Sequence, residues 1–235
     1  MSEDSSDDAV EAANVEAYFS ADRAKAFVDA VVAIALTLLI LPLLEAITDL
    51  TRPGHDNESP SATAWFSDNQ FLLLSFLISF AVIAMFWINH HRMYAGVRRV
   101  TTALLWLNMA WLLTIVWLPV ATAMTNLSDG DDPIVKVAYI GTMALTSVLS
   151  FCQELFLRGH PALHDITDTA LLRGMGVNLS MAILFLVSLV VSIALPELSY
   201  YPLFLLGLTG VLAAVIDRAL GVHRASERSH PDGGH

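Results

Sequence analysis

Charge is scarce in this chain. Only 15% of its 235 residues are Asp, Glu, Lys or Arg and 55% are hydrophobic, where a soluble domain carries about 25% charged residues. Cysteine is almost absent: Cys152 stands alone, which excludes an intrachain disulfide and leaves the redox compartment unread. The first 22 residues contain no lysine or arginine and seven acidic residues. That is the reverse of a signal peptide's positive start, so the first apolar segment is expected to stay in the mature protein. There is no glycine-rich phosphate loop, GxSxG elbow or CxxC pair, so ordinary soluble-enzyme chemistry lacks its parts and no enzyme is expected. Nor is there a basic stripe that would suit nucleic acid.

Long uncharged runs are what the chain does have. Phe71 to His90, Thr101 to Asn126, Val137 to Gln153, Gly174 to Pro196 and Leu198 to Ile216 each match the roughly 17 to 25 helical residues that cross a bilayer. Ala26 to about Thr48 is a sixth, apolar apart from Asp29 and Glu45. The expectation is an all-α membrane protein with six transmembrane helices and the lipid bilayer as its surroundings. In this reading residues 1–22 are an acidic disordered tail, 23–220 the six-helix domain and 221–235 a second disordered tail. The net charge of −11 comes largely from the tail and the polar ends, and reads as solvation of those segments.

The few basic residues indicate orientation. Arg23, Lys25, Arg92, Arg98, Arg99, Arg158, Arg173, Arg218, Arg224 and Arg228 fall on one side of the six spans, and Arg52 and Lys136 on the other. An excess of ten against two puts both termini in the cytoplasm, and the plasma membrane is the expected location. Local signals refine the helices. Asp22 is a candidate N-cap for helix one, and Pro42 is expected to bend or widen its outer half. Ser67 and Gln70 have capping-box spacing before helix two. Pro119 lies inside helix three, and Asp132 followed by Pro133 marks the start of helix four.

Ionisable groups inside a membrane helix are expensive unless they face protein partners or water, so they define the candidate site. On a helix of about 100° per residue, Leu38 lies about 40° from Ile34, Leu41 and Glu45 about 20°, Thr37 about 60° and Asp29 about 140°. Asp29 therefore points away from the Ile34, Leu38 and Leu41 stripe, toward donors at similar depth. These are Trp87, Asn89, His90 and His91 in helix two, with Trp106 and Asn108 in helix three. Carboxylate, imidazole, indole and amide can satisfy one another, which suits a structural network; a proton relay is the alternative. His160 and His164 have i, i+4 spacing that can hold zinc, but Pro161 separates them and they read as loop histidines. His223, His230 and His235 are too sparse for a metal tract, so no metal site is expected.

The residues RAKAFVD, from Arg23 through Phe27 to Asp29, resemble the R-x-x-x-F-S-D signature that opens the first helix of the transmembrane protein 175 family of potassium channels. The FWINHHR and WLNMAWLLTIVWLP runs are similar to that family's second and third helices, and six spans in one repeat are similar to its prokaryotic members. Val28 departs from the signature, which has serine there, so one hydroxyl of the family's network is missing. Phe66, Ser67 and Asp68 also spell FSD but lack the preceding arginine, and read as a cap.

The resemblance implies a homotetramer in which helix one lines a central pathway for potassium, with no cofactor. It implies a constriction at Ile34, with Leu38 and Leu41 one and two turns outward, and a selectivity role for Thr37. Glu45 would then form an acidic ring at the outer mouth, or else be a solvated helix-end glutamate. The resemblance also puts Arg23 in the network with Asp29, Trp87, His90, His91 and Asn108, whereas its helical angle puts it on the side of Ile34. A proton-coupled transporter with Asp29, His90 and His91 as relay is the competing expectation, and an intramembrane metal enzyme a third.

Overall fold

The computed structural model describes residues 19–50, 61–125 and 132–195, with positions 212 and 215. The expected sixth span, Leu198 to Ile216, and both tails lie almost wholly outside these residues. The elements in chain order are β1 (Phe19–Ser20), α1 (Ala21–Leu38), α2 (Leu41–Leu50), α3 (Ala62–Asp68), α4 (Gln70–Tyr94), β2 (Arg99–Val100), α5 (Thr102–Met124), α6 (Pro133–Lys136), a π-helical turn (Val137–Gly141), α7 (Thr142–Arg158) and α8 (Asp168–Ala194). Among the described residues five helical stretches are long and apolar enough to cross a membrane, with α1 and α2 counted as one and α6 to α7 as another.

Pro42 acts as the sequence suggests. It has no N–H to offer Leu38, and the helix breaks over Leu39 and Ile40 before resuming at Leu41. Thr101 caps α5 by accepting from the Leu104 amide, and Asp132 caps α6 by accepting from Ile134, with Pro133 at the first helical position. Two expectations fail. Ser20, not Asp22, precedes the first helical residue. Ser67 lies inside α3, while Asn69 occupies the N-cap position of α4 without a side-chain cap bond, so the expected capping box does not form. The Ala62–Asp68 turn uses residues read as its approach, which leaves no loop for the box to close.

The interior is built where α1, α4, α5, α7 and α8 meet. Val28, Val32, Ala35 and Leu39 present one face of α1 to Ile83, Phe86, Trp111, Ile115, Met143 and Phe185. Val28 is thus a core residue; its methyls pack where the family signature has a hydroxyl. The α7 and α8 pair is intimate because small buried residues, Gly176, Ser180, Ser188 and Ser192, line α8 at fourfold spacing. Between α4, α5 and the π turn, Tyr139 and Ser79 share a 2.8 Å bond and Thr122 donates to Ser79 at 2.8 Å. The wider π turn orients Tyr139 inward at that point.

At one end the helices are tied by extended backbone. β1 pairs antiparallel with β2, matching Phe19 to Val100 and Ser20 to Arg99. Val97 bridges to His164, and the Arg98 amide donates to the Leu163 carbonyl. Arg98 also pairs with Asp165, and Arg158 with Asp168. The start of α1 is thereby fastened to the α4–α5 and α7–α8 connections.

Candidate functional site

The Ile34 stripe is uncovered within the chain. Ile34 is 59% exposed, Leu38 38% and Leu41 47%, while Val28, Val32, Ala35 and Leu39 on the opposite side are buried. Thr37, Arg23 and Glu45 are exposed as well, and Phe27 is 51% exposed. The side chains named from helical angle therefore share one free face of α1 and α2. The Thr37 hydroxyl donates to the Ile34 carbonyl at 2.7 Å, which satisfies it within the helix and holds its oxygen at the level of the stripe.

Asp29 lies on the flank. Its Oδ1 accepts from the Trp87 indole at 2.7 Å, and His91 Nδ1 lies 3.9 Å from the same oxygen. The other expected partners are elsewhere. His90 is buried and stacks between Tyr94 and Trp111, with ring centroids 4.3 Å from each. His90 Nε2 lies 2.9 Å from Asn108 Oδ1. Because the Asn108 amide nitrogen donates to the Tyr94 hydroxyl, the histidine is the donor in that bond. The single network of the sequence reading is thus two neighbouring clusters on α4: Asp29, Trp87 and His91 at the surface of the chain, and His90, Tyr94, Asn108 and Trp111 inside.

Three further residues are corrected. Arg23 forms no hydrogen bond or ion pair with Asp29 among the described residues. It lines an open cavity of about 320 Å³ between the starts of α1 and α5, together with Phe27, Leu105 and Asn108. Trp106 is 70% exposed and joins neither cluster. Asn89 turns from Asp29 to Asn178, donating to its Oδ1 at 2.8 Å. Among the loop histidines, His160 bonds the Phe156 carbonyl and His164 the Leu157 carbonyl, both across 2.8 to 2.9 Å.

Several buried polar groups were not read from sequence. Tyr94, the last residue of the second helix, was not named among its polar partners, although it closes the inner cluster. Glu154 fell one residue past the window that ended at Gln153, yet it is buried and accepts from Asn178 at 2.9 Å. Lys136, assigned to the outer side, is buried with its ammonium donating to the Ser192 carbonyl at 2.9 Å. Spacing held a signal for the last two, since both lie on the face of the fourth span that carries Tyr139, Thr146 and Ser150.

Five apolar spans among the described residues, packed around a core with buried polar groups and with an uncovered stripe on the first, make this a multi-pass helical membrane protein. Its fold is similar to that of the potassium channel MtTMEM175, solved as a variant in complex with a Nanobody-MBP fusion protein, with a TM-score of 0.53 over 87% of this chain and 93% of that one, at 17% identity. Residues 23–119 match the family described as endosomal/lysosomal potassium channel TMEM175. Two bacterial relatives are named potassium channels. One, from Chryseobacterium sp. (strain P1-3), is 25% identical over 58% of this chain and 65% of its own length. The other, from Streptomyces collinus, is 38% identical over 43% of this chain and 46% of its own. The human protein, named an endosomal/lysosomal proton channel TMEM175, is 34% identical over 46% of this chain and 21% of its own length. The match thus spans about a fifth to two thirds of these relatives. Residues 23–119 are similar to the TMEM175 family, a match over less than half of the chain.

Proposed function

We propose that this protein is a potassium-permeable cation channel of the plasma membrane, formed by four copies around a pathway lined by α1, with both termini in the cytoplasm. The observation that carries the reading is the uncovered stripe of Ile34, Leu38 and Leu41 on the first span of a chain whose bacterial relatives are named potassium channels. Four such stripes facing one another make a narrow aliphatic neck. Such a neck expels water, and an ion passes only by shedding part of its shell. Potassium gives up water more readily than sodium, so the neck favours potassium without a cage of backbone carbonyls. Thr37, at the level of the neck, supplies an oxygen for the partly stripped ion. Glu45, exposed two turns or so outward, adds a ring of negative charge that raises the local cation concentration.

A proton-coupled transporter with Asp29, His90 and His91 as its relay is the weaker reading. His90 bonds Asn108 and is stacked away from Asp29, so the relay is interrupted at its middle member.

Ion flux from proteoliposomes holding the purified protein tests the proposal, with potassium and sodium gradients run in parallel and empty liposomes as control. Potassium flux above sodium flux is the expected result. Absence of cation flux under every gradient would remove the channel reading.

A further inference from the structure

Glu154 is a carboxyl group in a membrane-spanning helix with no basic partner. It is 3% exposed, makes no ion pair among the described residues, and lies one turn, about 6 Å, from Arg158 at the helix end. Its surroundings are built to receive it. Asn178 of α8 donates to Oε2 at 2.9 Å, and Asn89 of α4 donates in turn to Asn178 Oδ1 at 2.8 Å. Oε1 rests on Gly174, where an added Cβ would overlap that oxygen and lie 3.0 Å from the carboxyl carbon. A side chain at position 174 would displace the carboxyl group from this position, so the glycine gives it room against α8.

The charged and titratable groups on the helices around it are engaged elsewhere or exposed. On α7, Arg158 pairs with Asp168 of α8. Arg173 of α8 is exposed, as are His91 and Arg92 of α4, and His90 is held by Asn108. The described part of α5 contains no charged residue. A buried acid without a counter-cation carries a charge state tied to its packing, and intramembrane carboxyls of this kind mark functional sites.

We propose that Glu154 is a proton-binding site separate from the ion pathway, and that its occupancy is passed to the pathway helix through α4. The proton comes from water at the nearby helix end and is returned there. As a carboxylate the group only accepts hydrogen bonds; as an acid it must also donate one. The change is felt by Asn178 and then Asn89, two residues from the Trp87 that holds Asp29 of α1. The effect on ion flow rests on the channel reading above, while the proton site does not.

Two measurements on the full-length protein in proteoliposomes test this. Infrared difference spectra on a pH jump are expected to contain a carboxyl band that Glu154→Gln removes and that Asp29→Asn and Glu45→Gln retain. Potassium flux over the same pH series is expected to vary in the wild type and to flatten in Glu154→Gln. An unchanged carboxyl band in Glu154→Gln overturns the proton site. A band that is lost while the flux profile keeps its pH dependence overturns the coupling to α1. If no protein conducts at any pH, the channel reading and the coupling fall together, and the infrared band still decides the site.

Discussion

The Trp87 indole donates to Asp29 Oδ1 across 2.7 Å and so fastens α4 to the helix that bears the uncovered stripe. The bond is charge-assisted and half shielded, with the Asp29 side chain 42% exposed in the single chain.

Trp87→Phe keeps most of the ring and removes the donor. It is expected to destabilise the protein by about 1.5 kcal/mol, the lower end for a hydrogen bond to a charged group. Asp29→Ala is expected to lower the yield of assembled protein more than the conductance of the channels that form. Thermal melting in detergent and size-exclusion profiles check the pair. A full yield of stable Asp29→Ala assembly would show that the bond holds nothing the assembly needs.

Ile34→Asn puts a polar group at the centre of the proposed neck. A wetted neck conducts more and discriminates less, so the variant is expected to raise cation flux severalfold and to bring the potassium and sodium rates together. Flux indistinguishable from wild type would take Ile34 out of the pathway.

Thr37→Val removes the hydroxyl bonded to the Ile34 carbonyl at nearly constant volume. That bond lies within one helix turn and on an exposed face, so stability is expected to change by less than about 1 kcal/mol. The potassium preference over sodium is expected to fall, because an oxygen at the neck is lost. Parallel flux measurements with the two cations decide, and an unaltered ratio would confine Thr37 to a local helix bond.

The spans were legible because their signal is bulk hydropathy. All five described spans correspond to apolar windows, and Pro42, Pro119 and Asp132 have the local effects their chemistry dictates or occupy the helix positions expected of them. Some of the ends were not legible. The fourth span runs on to Arg158 and α8 begins at Asp168, because polar residues such as Glu154 find partners inside the bundle where a hydropathy window sees only polarity. The stripe on α1 followed from angle alone. The split between the Asp29 and His90 clusters did not: adjacent residues on α4 point about 100° apart, and only tertiary packing decides that His90 faces Asn108 and Trp111 while Trp87 faces Asp29.

Asn108 is the strongest test of that inner cluster. It is buried, takes the His90 donor on Oδ1 and gives its amide to Tyr94, with Gln153 Nε2 a further 3.4 Å from the same oxygen. Asn108→Leu fits the volume and removes every one of these partners at once. Each polar group left buried without a partner costs about 1 to 3 kcal/mol, so a loss of about 2 to 4 kcal/mol is expected. His90→Phe in the same background removes one orphaned donor and keeps the stack between Tyr94 and Trp111. The double variant is therefore expected to be more stable than Asn108→Leu alone, a sign of coupling that independent sites would not produce. Melting curves of the two single variants and the double variant close this cycle, and additive losses would mean that the His90 to Asn108 bond contributes nothing to the fold.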